Sequence, residues 1–111
     1  MNRQAATVAL VNRLKFKHLA LLVALDDTRN VHQAADTINV AQPSASRMLG
    51  DIEEAFGFLL FERNARGMQP TPLGVVTLAY ARRALAELTR FAEDLINVSV
   101  NTTIMIQKFF H

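Results

Sequence analysis

No cysteine occurs among the 111 residues, which removes disulfide scaffolds, thiolate-bound zinc and cysteine nucleophiles from consideration. That leaves the redox compartment open, with the cytosol as the default. Long apolar runs are missing too. The longest, Leu19 to Leu25, is far shorter than the ~20 residues that span a bilayer. No compact apolar region with a small-residue cleavage site follows Arg3, so no export signal is evident. The expectation is a cytoplasmic protein with no membrane partner.

Nor is there an excess of one charge where it would be most telling. Twelve Lys and Arg against ten Asp and Glu give a formal net charge of +2. Between Leu14 and Thr71, however, Lys15, Lys17, Arg29, Arg47, Arg63 and Arg66 are outnumbered by Asp26, Asp27, Asp36, Asp51, Glu53, Glu54 and Glu62. Composition therefore does not announce a nucleic-acid binder, and any such reading rests on where individual arginines stand. Catalytic patterns are missing as well. His18, His32 and His111 lack metal-ligand spacing. Gly-x-Ser-x-Gly, phosphate-loop and dinucleotide glycine patterns do not occur. Asp26-Asp27 and Glu53-Glu54 are adjacent pairs, about 100° apart on a helix, and do not converge on one substrate. No enzyme, cofactor or metal is expected.

What remains is ordinary globular composition, 50% hydrophobic and 20% charged, in a length that suits one small domain with an arm or long helix attached. Residues 1–13 are mixed and read as a frayed arm or an early extension of the first helix. From Leu14, the residues Phe16, Leu19, Leu22, Val23 and Leu25 fall at helical spacing, with Lys15, Lys17 and His18 on the other side. Asn30 suits the N-cap of a short second helix, Val31 to Ile38, whose inward residues are Val31, Ala34, Ala35 and Ile38. After Asn39-Val40-Ala41, Pro43 suits the first position of a third helix. Along that helix Ala45, Met48, Leu49, Ile52 and Phe56 share one side. Pro43, Ser46, Arg47, Gly50 and Glu54 share the other, and Gly57 supplies the stop. This is the grammar of a helix-turn-helix. Phe58 to Arg63 then reads as a strand, Asn64-Ala65-Arg66-Gly67 as a turn and Met68 to Thr71 as a returning edge strand containing Pro70, together a wing. Thr71-Pro72 opens a long helix. In it Leu78, Ala81, Leu85, Leu88, Ala92 and Leu95 alternate spacings of three and four over two and a half heptads. These six residues suit either a cover for the winged-helix core or a dimer seam. Ile96 to His111 change character, carrying one charge, Lys108, and no glycine or proline.

From Phe16 to about Leu95 the chain resembles the N-terminal DNA-binding region of the LysR-type transcriptional regulators. The matching blocks are the Ala34-Ala35 pair, Gln42-Pro43, Ser46-Arg47, Ile52-Glu53, Gly57, Leu60-Phe61-Glu62-Arg63, and Thr71 with Gly74. Arg29 stands where the family usually has glycine, Gly50 and Asp51 where its recognition helix often carries basic or amide groups, and Pro70 where it has leucine. The family continues into an effector-binding region that residues 96–111 do not match.

The expected fold is thus mainly α: a winged helix-turn-helix of three helices and a two-stranded wing, followed by a long dimerisation helix. Its parts are an arm (1–13), the DNA-binding domain (14–71), the linker helix (72–95) and a tail (96–111). Within this motif Gln42 is suited to pair with adenine and Arg47 with guanine in the major groove, each pair supplying roughly 1–3 kcal/mol of discrimination. Pro43 shares their end of the helix. Ser44, Ser46 and His32 suit phosphate or sugar contacts, or are plain surface residues. Arg66 stands at the wing tip, while Arg63 is expected to hold the wing through Glu53 or Glu62. The resemblance implies a homodimer paired through Leu78 to Leu95, bound to an interrupted inverted repeat of double-stranded DNA. It also implies that no small-molecule effector is bound, the effector region being absent. A rival expectation is a truncated dimerisation fragment that pairs with full-length relatives and modulates them.

Overall fold

The computed structural model describes residues 2–109; Met1 of the expected arm and Phe110 and His111 of the expected tail lie outside them. Seven elements follow one another: α1 (Arg3–Arg13), α2 (Phe16–Thr28), α3 (Val31–Thr37), α4 (Gln42–Phe56), β1 (Phe61–Asn64), β2 (Gly67–Pro70) and α5 (Pro72–Phe109).

Residues of the expected arm form a helix of their own. The Asn2 side chain accepts from Ala5 N at 2.7 Å, and the helix stops where Leu14 (ψ 121) and Lys15 (ψ 162) turn extended. The chain re-enters a helix at once because the Lys15 N–H donates to His18 Nδ1 at 3.1 Å. Helix α2 is the centre of the domain, packed against α3, α4 and α5. Leu21, Leu22 and Leu25 are wholly buried, whereas Phe16, expected inside, is 51% exposed at the helix entrance.

The turn into α3 carries Asn30, whose side chain accepts from Gln33 N at 2.9 Å. Val31, Ala34 and Ala35 face inward as the spacing requires. Helix α4 starts at Gln42, one residue before Pro43, and buries Ala45, Leu49 and Ile52. Gly57 ends it in the left-handed region, at φ 80. The wing is an antiparallel hairpin in the register Phe61↔Pro70 to Asn64↔Gly67. Strand β1 begins at Phe61, not at Phe58 as expected, because the Glu53 carboxylate accepts from Leu60 N at 2.6 Å and Phe61 N at 3.4 Å; β2 keeps four residues but starts one earlier, at Gly67. Thr71 closes the hairpin onto α5. Its N–H donates to the Leu60 carbonyl at 3.0 Å, its hydroxyl donates to the Leu59 carbonyl at 2.7 Å, and the same hydroxyl accepts from Gly74 N at 2.9 Å.

Helix α5 was expected to Leu95 and runs on to Phe109. No glycine or proline follows Gly74, and an established helix elongates at little cost compared with nucleation. At about 1.5 Å per residue it forms a rod of roughly 57 Å, which gives the molecule its 65 Å long axis.

Candidate nucleic-acid interface

Starting from Gln42 and turning about 100° per residue, Ser46, Gly50, Pro43, Glu54 and Arg47 occupy one exposed arc of α4; buried Leu49 borders it on the Gln42 side, and buried Ala45 and Ile52 lie farther round the helix. The structure thus brings Gln42, Pro43, Ser46 and Arg47 onto a common solvent face. Gln42 Nε2 donates to Ser46 Oγ at 3.2 Å, which holds the amide along the helix surface. Ser44 is exposed but sits at the rim of this arc. His32 lies on α3, exposed, with Nε2 3.9 Å from the Asp36 carboxylate one turn on. Arg66 is exposed in the hairpin turn, which is shaped by its own N–H donating to Asn64 Oδ1 at 2.8 Å and by Gly67 at φ 98. Arg63 is exposed and ties to neither Glu53 nor Glu62 among the described residues; backbone amides take the Glu53 carboxylate instead.

Two grooves border the α4 face. On one side Ser46, Gly50 and Glu53 meet Phe61, Arg63 and Asn64 of the wing. On the other, Asp51, Glu54 and Ala55 meet Arg13, Lys15, Lys17 and His18 at the joint between α1 and α2, around a cavity of about 770 Å³. Burial and the neighbouring lysines, Lys17 before Lys15, lower the pKa of His18. The sequence places Lys15 and Lys17 simply on the solvent side of a helix; their approach to α4 depends on a tertiary contact between α1 and α4 that has no local signal.

A second cluster also escaped sequence reasoning. Arg29 adopts the left-handed conformation at φ 54, the backbone shape for which glycine is the least strained residue. Its guanidinium donates to the Asp26 carbonyl at 3.0 Å, the Asp26 carboxylate at 2.9 Å and Gln69 Oε1 of β2 at 3.4 Å. Arg82 of α5 reaches the other Asp26 oxygen at 2.9 Å and also pairs with Asp27. Burial pushes the Asp26 carboxyl up, but hydrogen bonds from Arg82 and Arg29 outweigh it and hold the group below the usual carboxylate range.

The six heptad residues of α5 divide. Leu78 and Ala81 are buried in the core of their own chain, so their contacts are already made, and Leu85 is half-buried beside Val23. Leu88, Ala92 and Leu95 are exposed, as are Tyr80 and Phe91, which the heptad reading passed over. Phe91, Leu95, Val98 and Met105 continue one stripe with alternating steps of four, three and seven residues. Among the described residues no group of acids and histidines is arranged to hold a metal ion, and no helix is long and apolar enough to cross a membrane.

Residues 16–75 match the family described as bacterial regulatory helix-turn-helix protein, lysR family. Among curated relatives, the HTH-type transcriptional regulator GbpR of Azospirillum brasilense is 45% identical over 94 residues, covering 85% of this chain and 28% of its own length. The chain therefore spans well under a third of that relative. Among solved structures, the DNA-binding domain of BenM in complex with catB site 1 DNA superimposes with a TM-score of 0.72 at 29% identity, covering 78% of this chain and 97% of that one. Vibrio fischeri DarR in complex with DNA gives a TM-score of 0.68 at 27% identity, covering 78% of this chain and 30% of DarR.

Proposed function

Because this chain belongs to the LysR family of bacterial regulatory helix-turn-helix proteins, we propose that it binds double-stranded DNA sequence-specifically as a transcription regulator. The observation that carries this reading is the exposed face of α4, where Gln42, Pro43, Ser46 and Arg47 stand together and Ser46 borders the groove to the wing. The BenM and DarR structures, both complexes with DNA, support it.

In this reading α4 enters the major groove by its N-terminal half. Arg47 donates two N–H groups to guanine O6 and N7, and Gln42 pairs with an adenine edge once its amide leaves Ser46 Oγ. Ser44, Ser46 and His32 touch phosphate or sugar, and Arg66 meets the backbone at the wing tip. We assign residues 14–71 to DNA binding and α5 to pairing with a second copy. The seam is the exposed part of the stripe, Leu88, Phe91, Ala92 and Leu95, with Leu78 and Ala81 anchoring the helix to its own domain. Two such chains present two recognition helices to an interrupted inverted repeat, making binding bivalent.

A second reading, pairing with longer relatives into poorly active mixed dimers, is favoured by the acids Asp51 and Glu54 on the exposed side of α4. Fluorescence anisotropy with duplexes from the upstream region of the chain's own gene, with random duplex as competitor, separates the two. Specific binding that Arg47→Ala removes without changing dimer mass supports the first. Equal weak binding to every duplex, indifferent to Arg47→Ala, refutes it.

A further inference from the structure

The recognition face is flanked on both sides, and the two flanks differ in origin. The wing groove lies within the family's matched span, whereas Arg13 and Lys15 of the opposite groove precede residue 16. Arg13, Lys15 and Lys17 are all exposed, and none has an ion-pair partner among the described residues. They line the same groove as Asp51 and Glu54 of α4. Three cations against two acids leave that groove with net positive charge.

Size fixes what such a flank meets. A helix with its side chains is about 10–12 Å across and the major groove about 12 Å wide. A helix lying in the groove therefore fills it, and elements on either side of the helix stand over the two phosphate ridges. In that docking the wing would stand over one ridge. The joint between α1 and α2, which borders α4 from Asp51 onward, would stand over the other where the helix leaves the groove. Asp51 and Glu54, pointing toward that second ridge, would repel phosphate. Cations lining the same groove would counter that repulsion for any phosphate that comes within the Debye length of about 8–10 Å.

Resting on the DNA-binding reading above, we propose that Arg13, Lys15 and Lys17 form a second phosphate-binding flank, in which α1 serves to hold the α1–α2 joint against α4. The ligand is the sugar-phosphate backbone of duplex DNA, contacted without regard to sequence. Arg47 sets which sequence is bound; the joint sets how tightly any duplex is held.

The test is the salt dependence of duplex binding by the 111-residue protein and its triple variant Arg13→Gln/Lys15→Gln/Lys17→Gln, on both target and random duplex. Each lost phosphate contact should flatten the plot of log affinity against log salt by about 0.9, so the triple variant should lose roughly 2–3 in slope. Affinity for both duplexes should fall by the same factor, leaving their ratio intact. Arg47→Ala should do the opposite, collapsing the ratio while the slope changes by one contact at most. Asp51→Asn, on the facing wall, should tighten both duplexes several-fold and remains informative should the triple variant fold poorly. Specific wild-type binding with slope and affinities unchanged in both variants would overturn the flank and leave the DNA reading standing. A wild type that binds every duplex weakly with no salt dependence would overturn both.

Discussion

Replacing Gly74 by alanine should destabilise the domain, although alanine is the better helix former by roughly 1 kcal/mol. Gly74 lies in the first turn of α5, where the helix rests on the chain entering the wing. A Cβ built there would overlap the Leu60 carbonyl oxygen and lie 2.9 Å from the Leu60 carbonyl carbon and 3.2 Å from Thr71 Oγ1. The obstacle is backbone, not the far end of a flexible side chain, so relief requires moving Leu60 or the start of α5. Leu60 cannot move cheaply. Its side chain is wholly buried, its N–H is held by Glu53 at 2.6 Å, and its carbonyl accepts from Thr71 N at 3.0 Å. Overpacking of this kind costs about 1–3 kcal/mol and each weakened hydrogen bond about 1 more. After the propensity gain, a net loss of about 1–3 kcal/mol remains. Urea unfolding followed by circular dichroism should show a lower midpoint at unchanged slope. A variant as stable as the parent, or more so, would mean that helix propensity governs this position and that α5 does not bear closely on the strand.

Three further outcomes follow from the same contacts. Asp26 has its pKa depressed by Arg82 and Arg29 despite partial burial, so its contribution is present above the unfolded carboxylate value, near 3.9, and lost as pH falls through the lower folded value; Asp26→Asn should flatten acid unfolding in that window, and an unaltered pH profile would contradict the assignment. Glu53→Ala should cost about 1.5–3 kcal/mol, because it strands the Leu60 and Phe61 amides, and hydrogen exchange at those two amides should quicken first. Phe91→Asp combined with Leu95→Asp, at positions 59% and 57% exposed, should give monomer mass by light scattering with the winged domain still folded, and an unchanged dimer mass would rule out the seam.

The parts of the fold legible in the sequence are those with short-range causes. Asn30 caps α3 through Gln33, Gly57 stops α4 in the left-handed region, and Thr71 with Pro72 starts α5, each a signal contained within three or four residues. The apolar side of α4 was legible because one face is buried and the other is not. Helix α2 was less so. It is enclosed by three other helices, so Leu21 joins Leu22 inside and no single stripe marks its core face. The heptad of α5 was ambiguous for a physical reason: alternating threes and fours describe a core-facing stripe and a dimer seam equally well. Leu78 and Ala81 prove to be the first, while Leu88 and Leu95 stay exposed, and only the tertiary packing of α2 separates the two groups.

The candidate site shows the same division between local and distant causes. Gln42, Ser46 and Arg47 share a face by helical arithmetic alone, whereas the positions of Arg13, Lys15 and Lys17 require α1 to pack on α4. Asp26 is the clearest case. It stands in a run of five residues with no apolar member, which reads as a simple helix end. In the fold it accepts from Arg29 and from Arg82, 56 residues away, while Arg29 reaches on to Gln69 in β2. One carboxylate therefore joins the end of α2, the wing and the helix assigned to pairing. A two-residue joint or a flexible linker would let the reading head swing relative to α5. Two arginines converging on a carboxylate that is 18% exposed resist that swing, and with Leu78 buried one turn before Arg82 and Ala81 buried next to it they make α5 a rigid continuation of the domain. The left-handed strain at Arg29 is then understandable: glycine would relax the turn but would have no side chain with which to hold Asp26 and Gln69.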